Sequence, residues 1–203
     1  QCVAACKAGA IDHYLPEKVE AISVGSIILS PGFDEFNPDS EYLSRTGYTS
    51  LISQYGYSKY PNVVSSIEFE RILSASGPFQ GHLIRPSDRK PPKKIAWIQC
   101  VGSRDVSCDS GYCSSVCCMY AIKEAVIAKE HSPEPLDVTI FYMDMRTYGK
   151  DFDKYYERAR DEYGIRFVRS KVYGIDEVDG TGNLSIRYAE EGGGLRTDTF
   201  DMV

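Results

Sequence analysis

The sequence predicts an α/β fold built on a parallel sheet of the doubly wound kind, preceded by an irregular N-terminal segment. Three observations predict it. Between residues 93 and 169 apolar strand-like runs alternate with helical ones, strand, helix, strand, helix, strand, the pattern of βαβ units. The first of these strands runs into a glycine loop and then a helix. The 92 residues before them carry little periodicity and end in a proline-rich stretch.

Taken in order, Val24 to Phe33 is a short apolar run closed by Pro31-Gly32, which reads as a buried strand followed by a tight loop. Residues 34–62, rich in Tyr, Ser, Asn and Pro, form an irregular connection. Ser66 to Gly77 reads as a helix with Ser66 as cap, Glu68 and Glu70 in the first turn and Gly77 as the stop. Residues 78–94 hold four Pro and six Lys, Arg or His, and are expected as a surface loop. Lys93 to Ser103 is a strand that ends in the Gly102 loop. Ser114 to about Lys129 is a helix capped by Ser114. Leu136 to Met143 is a second strand, Asp151 to Tyr163 a charged helix stopped by Gly164, and Ile165 to Arg169 a third strand. Val172 to Val178 and Leu184 to Ala189 form a hairpin around Asp179-Gly180-Thr181-Gly182-Asn183.

Composition narrows the function. With 42% apolar and 26% charged residues the 203-residue chain is an ordinary globular one. No run of about 18 apolar residues suggests a membrane span. A net charge of -6 argues against a nucleic-acid surface, and Lys90 to Lys94 is too short a basic run to reverse that. Seven Cys is an odd count, and five of them fall between Cys100 and Cys118. Clustered thiols in such a chain point to metal or redox chemistry before disulfide staples.

The chemistry concentrates where a doubly wound sheet normally holds a dinucleotide, in the first strand-to-helix loop. A nucleotide site would place G-x-G-x-x-G there. This chain has Cys100-Val101-Gly102-Ser103-Arg104-Asp105, then Cys108 and Tyr112-Cys113-Ser114-Ser115-Val116-Cys117-Cys118. A helix begun by Cys113 would put Cys113 and Cys117 on one face, with Cys118 about 100° further round. Cys100 ends the neighbouring strand at the same sheet edge. The helix N-terminus and Arg104 would lower the thiol pKa values, and thiolate is the ligand form. A [4Fe–4S] cluster offers separate iron corners to adjacent Cys117 and Cys118. A single zinc ion draws its ligands to one point, which ranks iron–sulfur above zinc. Two other readings stay open: small core thiols, and a thiol–disulfide switch. Cys108 has no clear role.

Near the start, Cys2-x3-Cys6-Lys7-Ala8-Gly9 resembles the tail of a bacterial ferredoxin motif, with Lys7 where Pro is usual. Cys2 and Cys6 are thus candidate ligands of incomplete ferredoxin-type clusters, or else two buried, inert cysteines on a short helix. The chain starts at Gln1, and its last residues, Thr199 to Val203, look like a strand just entering; an internal fragment of a larger protein is expected. His13, His82 and His131 lie near loops and are read as surface residues.

The segments Trp97 to Asp105 and Tyr112 to Ala125, with Ser66 to Arg71, Phe141-Tyr142-Met143-Asp144-Met145-Arg146 and Tyr155 to Ala159, closely resemble the A subunit of heterodisulfide reductase. The resemblance implies a fold similar to thioredoxin reductase, and an oxidoreductase that carries FAD and several [4Fe–4S] clusters in its full-length form. In it, electrons pass to partner subunits, by flavin-based bifurcation in some complexes. It implies that Cys100, Cys113, Cys117 and Cys118 are cluster ligands within a Rossmann-like, degenerate NAD(P)-binding domain. It divides the chain into residues 1–23, a remnant of a ferredoxin-like module; 24–92, a flavin-domain-derived strand and linker; and 93–203, the Rossmann-like domain. Gly32 and Gly102 are the candidate cofactor-binding glycines, though Ser30-Pro31-Gly32 departs from the family's usual Ala-Thr-Gly. The expected partners are other heterodisulfide-reductase-type subunits and an electron-donor protein, in the cytoplasm. The alternatives are a vestigial nucleotide-binding scaffold for subunit docking, or a thiol–disulfide oxidoreductase.

Overall fold

A computed structural model describes residues 1–33, 35–37, 54–106 and 110–203. Cys108 and most of the connection expected over 34–62 lie outside the described residues. The chain divides into two units, Gln1–Asp34 and Glu35–Val203.

Among the described residues of the first unit the one regular element is α1 (Cys2–Ala5). The strand expected over Val24 to Phe33 does not form: this stretch is extended and exposed, with Ile28 at 90% and Leu29 at 83%. Its apolar residues have strand propensity. A strand, however, needs a neighbour for its amides and carbonyls, and no described residue pairs with it.

The second unit is mixed α/β in three layers. A parallel sheet, in the order β1 (Lys94–Ile98), β2 (Asp137–Tyr142), β3 (Arg166–Arg169), forms the middle layer. Its register pairs Lys94 with Asp137 and Ile98 with Phe141, then Thr139 with Arg166. Side chains alternate across it as the pleat requires. On one face Ile95, Trp97, Val138 and Ile140 meet the helices α2 (Ser66–Leu73), α3 (Cys117–His131) and α4 (Phe152–Asp161) through Phe69, Ile72, Ile122, Ala125 and Ala159. On the other, Ala96 and Phe141 meet an antiparallel meander of β4 (Val172–Val178), β5 (Asn183–Ala189) and β6 (Leu195–Phe200) through Ile175, Leu184, Ile186 and Phe200. The expected hairpin is thus two strands of three. The strand expected from Thr199 starts earlier, at Leu195; that start was hidden because Leu195-Arg196-Thr197-Asp198-Thr199 is mostly polar and largely exposed.

Three further expectations change. The cap of α2 is Ser65, not Ser66: its Oγ accepts the Glu68 amide while Glu68 Oε2 accepts the Ser65 amide at 2.7 Å, a reciprocal box that fixes the start one residue earlier. The proline-rich stretch is the expected loop, but it is anchored at two buried residues. Leu83 and Arg85 are buried, and Arg85 donates to Asn183 Oδ1 at 2.7 Å and the Thr181 carbonyl at 3.1 Å. Finally, Asp201–Val203 leaves the meander and runs beside β1. The Ala96 amide donates to the Met202 carbonyl at 3.0 Å, and the Val64 amide to the Val203 carbonyl at 2.9 Å.

Candidate functional site

The site lies at the edge where β1 ends. The described residues 99–106 and 110–116 lie between β1 and α3. They are folded by their own polar groups. The Arg104 amide donates to the Tyr112 carbonyl at 2.8 Å, and Asp105 and Ser110 bond reciprocally. Ser103 acts on both sides of Cys113: its hydroxyl donates to the Tyr112 carbonyl at 3.0 Å and accepts the Ser114 amide at 3.2 Å. The Ser115 amide donates to Cys113 Sγ at 3.3 Å.

The backbone is held in uncommon conformations here. Seven described non-glycine residues adopt left-handed φ, and Cys100, Arg104 and Ser115 are three of them. Such strain gathers where surrounding structure imposes it. At Ser115 it explains a departure from expectation. The helix begins at Cys117, with Val116 as its cap, because Ser115 at φ 67° cannot continue a right-handed helix back to Ser114. Cys113 and Cys117 therefore do not share a helical face; Cys113 approaches from the loop. At Gly102, φ is 66° and a Cβ would run into the Phe36 ring, so that glycine admits an aromatic side chain of this chain. Around Gly32 the space is open.

The loop, the strand end and the helix bring the four candidate thiols into one electrostatic group. Cys118 is buried and the other three are half-buried, and all are free thiols. Cys117 is held as thiolate, its pKa lowered to about 5. The Cys118 thiol donates to it foremost, and the Ser114 hydroxyl and the amides of Cys100 and Cys117 add to this against the opposing effect of burial. Cys118 is correspondingly pushed up, as the donor in that pair and through burial. Burial raises Cys100 too, with the Cys117 charge adding to it and Arg104 opposing. Arg104 lowers Cys100 as expected but is outweighed there by burial, while the low Cys117 comes first from the Cys118 thiol and the high Cys118 first from that same bond, not from the helix end or Arg104.

Sequence reasoning missed part of the surroundings. Asp144 and Arg146, just past β2, border the site: Arg104 of the loop pairs with Asp144, which also takes Arg146 Nε on its other oxygen at 2.8 Å. The signal was present in the motif Phe141 to Arg146, whose position at the end of a parallel strand puts it at the same edge as Cys100. Among the described residues no three His, Cys, Asp or Glu side chains are grouped tightly enough to hold a single metal ion. In the first unit, Cys2 is exposed and Cys6 half-buried, so the pair is not a buried, inert one. The Cys6 thiol is lowered by the amides of Ala10 and Ala8, with Gly9 and Ile11 adding to them. No described helix is long and apolar enough to cross a membrane.

No protein-family model matches the chain. It is 42% identical over 187 residues to the iron-sulfur A subunit of the CoB–CoM heterodisulfide reductase of Methanocaldococcus jannaschii, covering 92% of this chain and 26% of that protein. It is 45% identical over 180 residues to the second of the numbered A subunits of the same name from Methanopyrus kandleri, covering 89% and 26%. To the A subunit of the H(2)/formate:CoB-CoM heterodisulfide,ferredoxin reductase of Methanococcus maripaludis it is 44% identical over 166 residues, covering 82% and 23%. The chain spans about a quarter of the length of these relatives. Over that quarter it is a homologue of the heterodisulfide reductase A subunits.

Proposed function

We propose that this chain is an electron-transfer segment of a heterodisulfide-reductase-type iron–sulfur flavoprotein, an oxidoreductase, and that Cys100, Cys113, Cys117 and Cys118 hold one [4Fe–4S] cluster. The observation that carries the reading is the convergence of four thiols from a strand end, a loop and a helix N-terminus, where main-chain N–H groups already point at their sulfurs. Cysteine sulfurs with amide donors are the usual surroundings of such a cluster. Ligands of one ion crowd together at bond lengths near 2.3 Å. When bound, the cluster supplies a one-electron redox centre. The residues of the chain hold its sulfurs, shield Cys118 from water, and fix Cys113 through Ser103.

In this reading residues 93–203 descend from a Rossmann-like nucleotide-binding domain, residues 24–92 from a flavin domain, and residues 1–23 from a ferredoxin-like module, to which Cys2 and Cys6 belong. The full-length protein carries FAD near Gly32 and works with other reductase subunits and an electron-donor protein. The name of one relative, from Methanosarcina acetivorans, gives ferredoxin and F(420)H(2) as that enzyme's donors.

The test is anaerobic reconstitution with iron and sulfide, read by iron content and EPR of the dithionite-reduced protein. About four irons per chain and a reduced-cluster signal are expected, with both lost on Cys117→Ser or Cys113→Ser. A folded chain that takes up no iron at any iron-to-protein ratio refutes the reading. The thiol–disulfide alternative has one observation in its favour, the hydrogen bond between adjacent Cys117 and Cys118. It predicts a reducible bond between them and no iron.

A further inference from the structure

Glu124 is a carboxyl group sealed inside the second unit. It lies on α3, 3% exposed, where Oε2 accepts the Trp97 indole N–H at 3.0 Å and Oε1 is buried with no partner. Trp97 is itself buried, on β1, and its ring meets Phe69 of α2 edge-on, 5.0 Å between centroids. One side chain of α3 thus ties the helix to the sheet and, through the indole, to α2. The charges that face it are negative. Glu70 comes from α2 and Glu35 from the segment ahead of α2. On α3 itself Tyr120 donates its hydroxyl to Glu70 Oε2. β1 offers the indole N–H alone, and among the described residues neither β2 nor α4, which also pack on α3, sets a cation against it.

A carboxylate kept charged at such depth needs donors on both oxygens or a cation beside it. Glu124 has one donor and two like charges. As a neutral acid it leaves one hydrogen bond unmade, a smaller cost than an unpaired buried charge. Burial accordingly raises its pKa to about 8, with Trp97 opposing and Glu70 and Glu35 adding to the rise. Two responses to ionisation are open: the whole chain unfolds, or the seam between α3 and β1 opens and admits water. The second disturbs less structure, because Glu70 and Glu35 are exposed and solvent lies beyond them. Local openings of this kind cost less free energy than global unfolding.

We propose that Glu124 and Trp97 form a pH-sensitive latch between α3 and β1, closed while the carboxyl holds its proton and opened, without unfolding of the chain, once the proton is lost. The proton passes to solvent, and the hydrogen bond to the indole is the one contact exchanged for water. Since the closed form binds the proton more tightly than the open one, it is favoured on the acid side and loses that advantage as the pH climbs towards about 8. α3 begins with Cys117 and Cys118, about two turns before Glu124, so the latch sets how firmly the turn carrying the buried Cys118 is held. The inference does not depend on the cluster reading.

The experiment is acrylamide quenching of Trp97, the one tryptophan, in the full chain at pH 6, 7, 8 and 9 without denaturant, with far-UV circular dichroism recorded at each pH. In the wild type the quenching constant is expected to rise about twofold or more from pH 6 to pH 9 while the helical signal stays constant. Glu124→Gln keeps the low value throughout. Glu70→Gln removes one facing charge, and its amide oxygen still accepts the Tyr120 hydroxyl, so its rise is smaller and levels off at lower pH. A wild-type constant that does not change with pH, or a rise shared by Glu124→Gln, overturns the latch. A rise that comes with loss of helical signal is global unfolding and overturns it as well. Should Glu124→Gln fail to fold, Glu70→Gln decides: a curve identical to wild type overturns the inference, and a smaller rise ending at lower pH supports it.

Discussion

Glu124 is the residue whose replacement should tell most about the folded state. It sits on α3, 3% exposed, with Oε2 accepting the Trp97 indole N–H at 3.0 Å and Oε1 buried without a partner. Burial raises its pKa from 4.5 to about 8, and Glu70 and Glu35 push the same way while Trp97 opposes. The folded chain therefore keeps the proton while the unfolded chain gives it up. Stability is fully present below pH 4.5, declines as the pH climbs towards about 8, and levels off above that. At 1.36 kcal/mol per pH step, the decline attributable to this one group between pH 5 and 8 is about 3 kcal/mol. Gln is nearly isosteric, stays neutral, and offers an oxygen to the indole. Glu124→Gln should then match the wild type near pH 4.5 and exceed it by about 4 kcal/mol at pH 8. The assay is urea unfolding at pH 5, 6, 7 and 8, followed by the fluorescence of Trp97, the one tryptophan in the chain. Other titrating groups are common to both proteins, so the difference between them isolates Glu124. A difference that does not change with pH would show that the buried carboxyl ionises normally and that the reasoning is wrong.

Two other substitutions test local structure. Gly102→Ala forces an L-residue to φ 66° and drives a Cβ into the Phe36 ring, so thermal unfolding should show a loss of at least about 1 kcal/mol. Ser65→Ala removes one half of the capping box and should destabilise by about 1 kcal/mol, with Ser66→Ala nearly neutral; equal effects would restore Ser66 as the cap.

The periodic part of the fold was legible. The β1, α3, β2, α4, β3 order, and the hairpin turn at Gly180 and Gly182, follow from apolar spacing and glycine position alone. The apolar stretch at Val24 misled because a run of Val, Ile and Leu states a preference for strand without naming its neighbour. β6 was read only at its end, from Thr199, for the opposite reason: its backbone pairs along β5 while most of its side chains are polar. At the site, the thiols and their common sheet edge could be read from spacing. What could not was Ser115 turning left-handed, which moved Cys113 off the helix, and the meeting of Arg104 with Asp144, forty residues apart in sequence. Both depend on tertiary closure of a loop whose own residues show no period.

The three residues Asp201–Val203 bear on how this unit reaches its native state. Asp201 accepts the amides of Lys93 and Lys94, a contact spanning 108 residues, and Met202 is wholly buried against the β1 strand. Closing so long a loop is entropically costly, and it is expected to follow the more local contacts of the helices and the meander. Until then Ile95, Ala96 and Trp97 present an open, apolar strand edge, the kind of surface on which chains associate with one another. Refolding yield is therefore expected to fall as protein concentration rises, since that exposed edge persists until Met202 arrives beside Ile95.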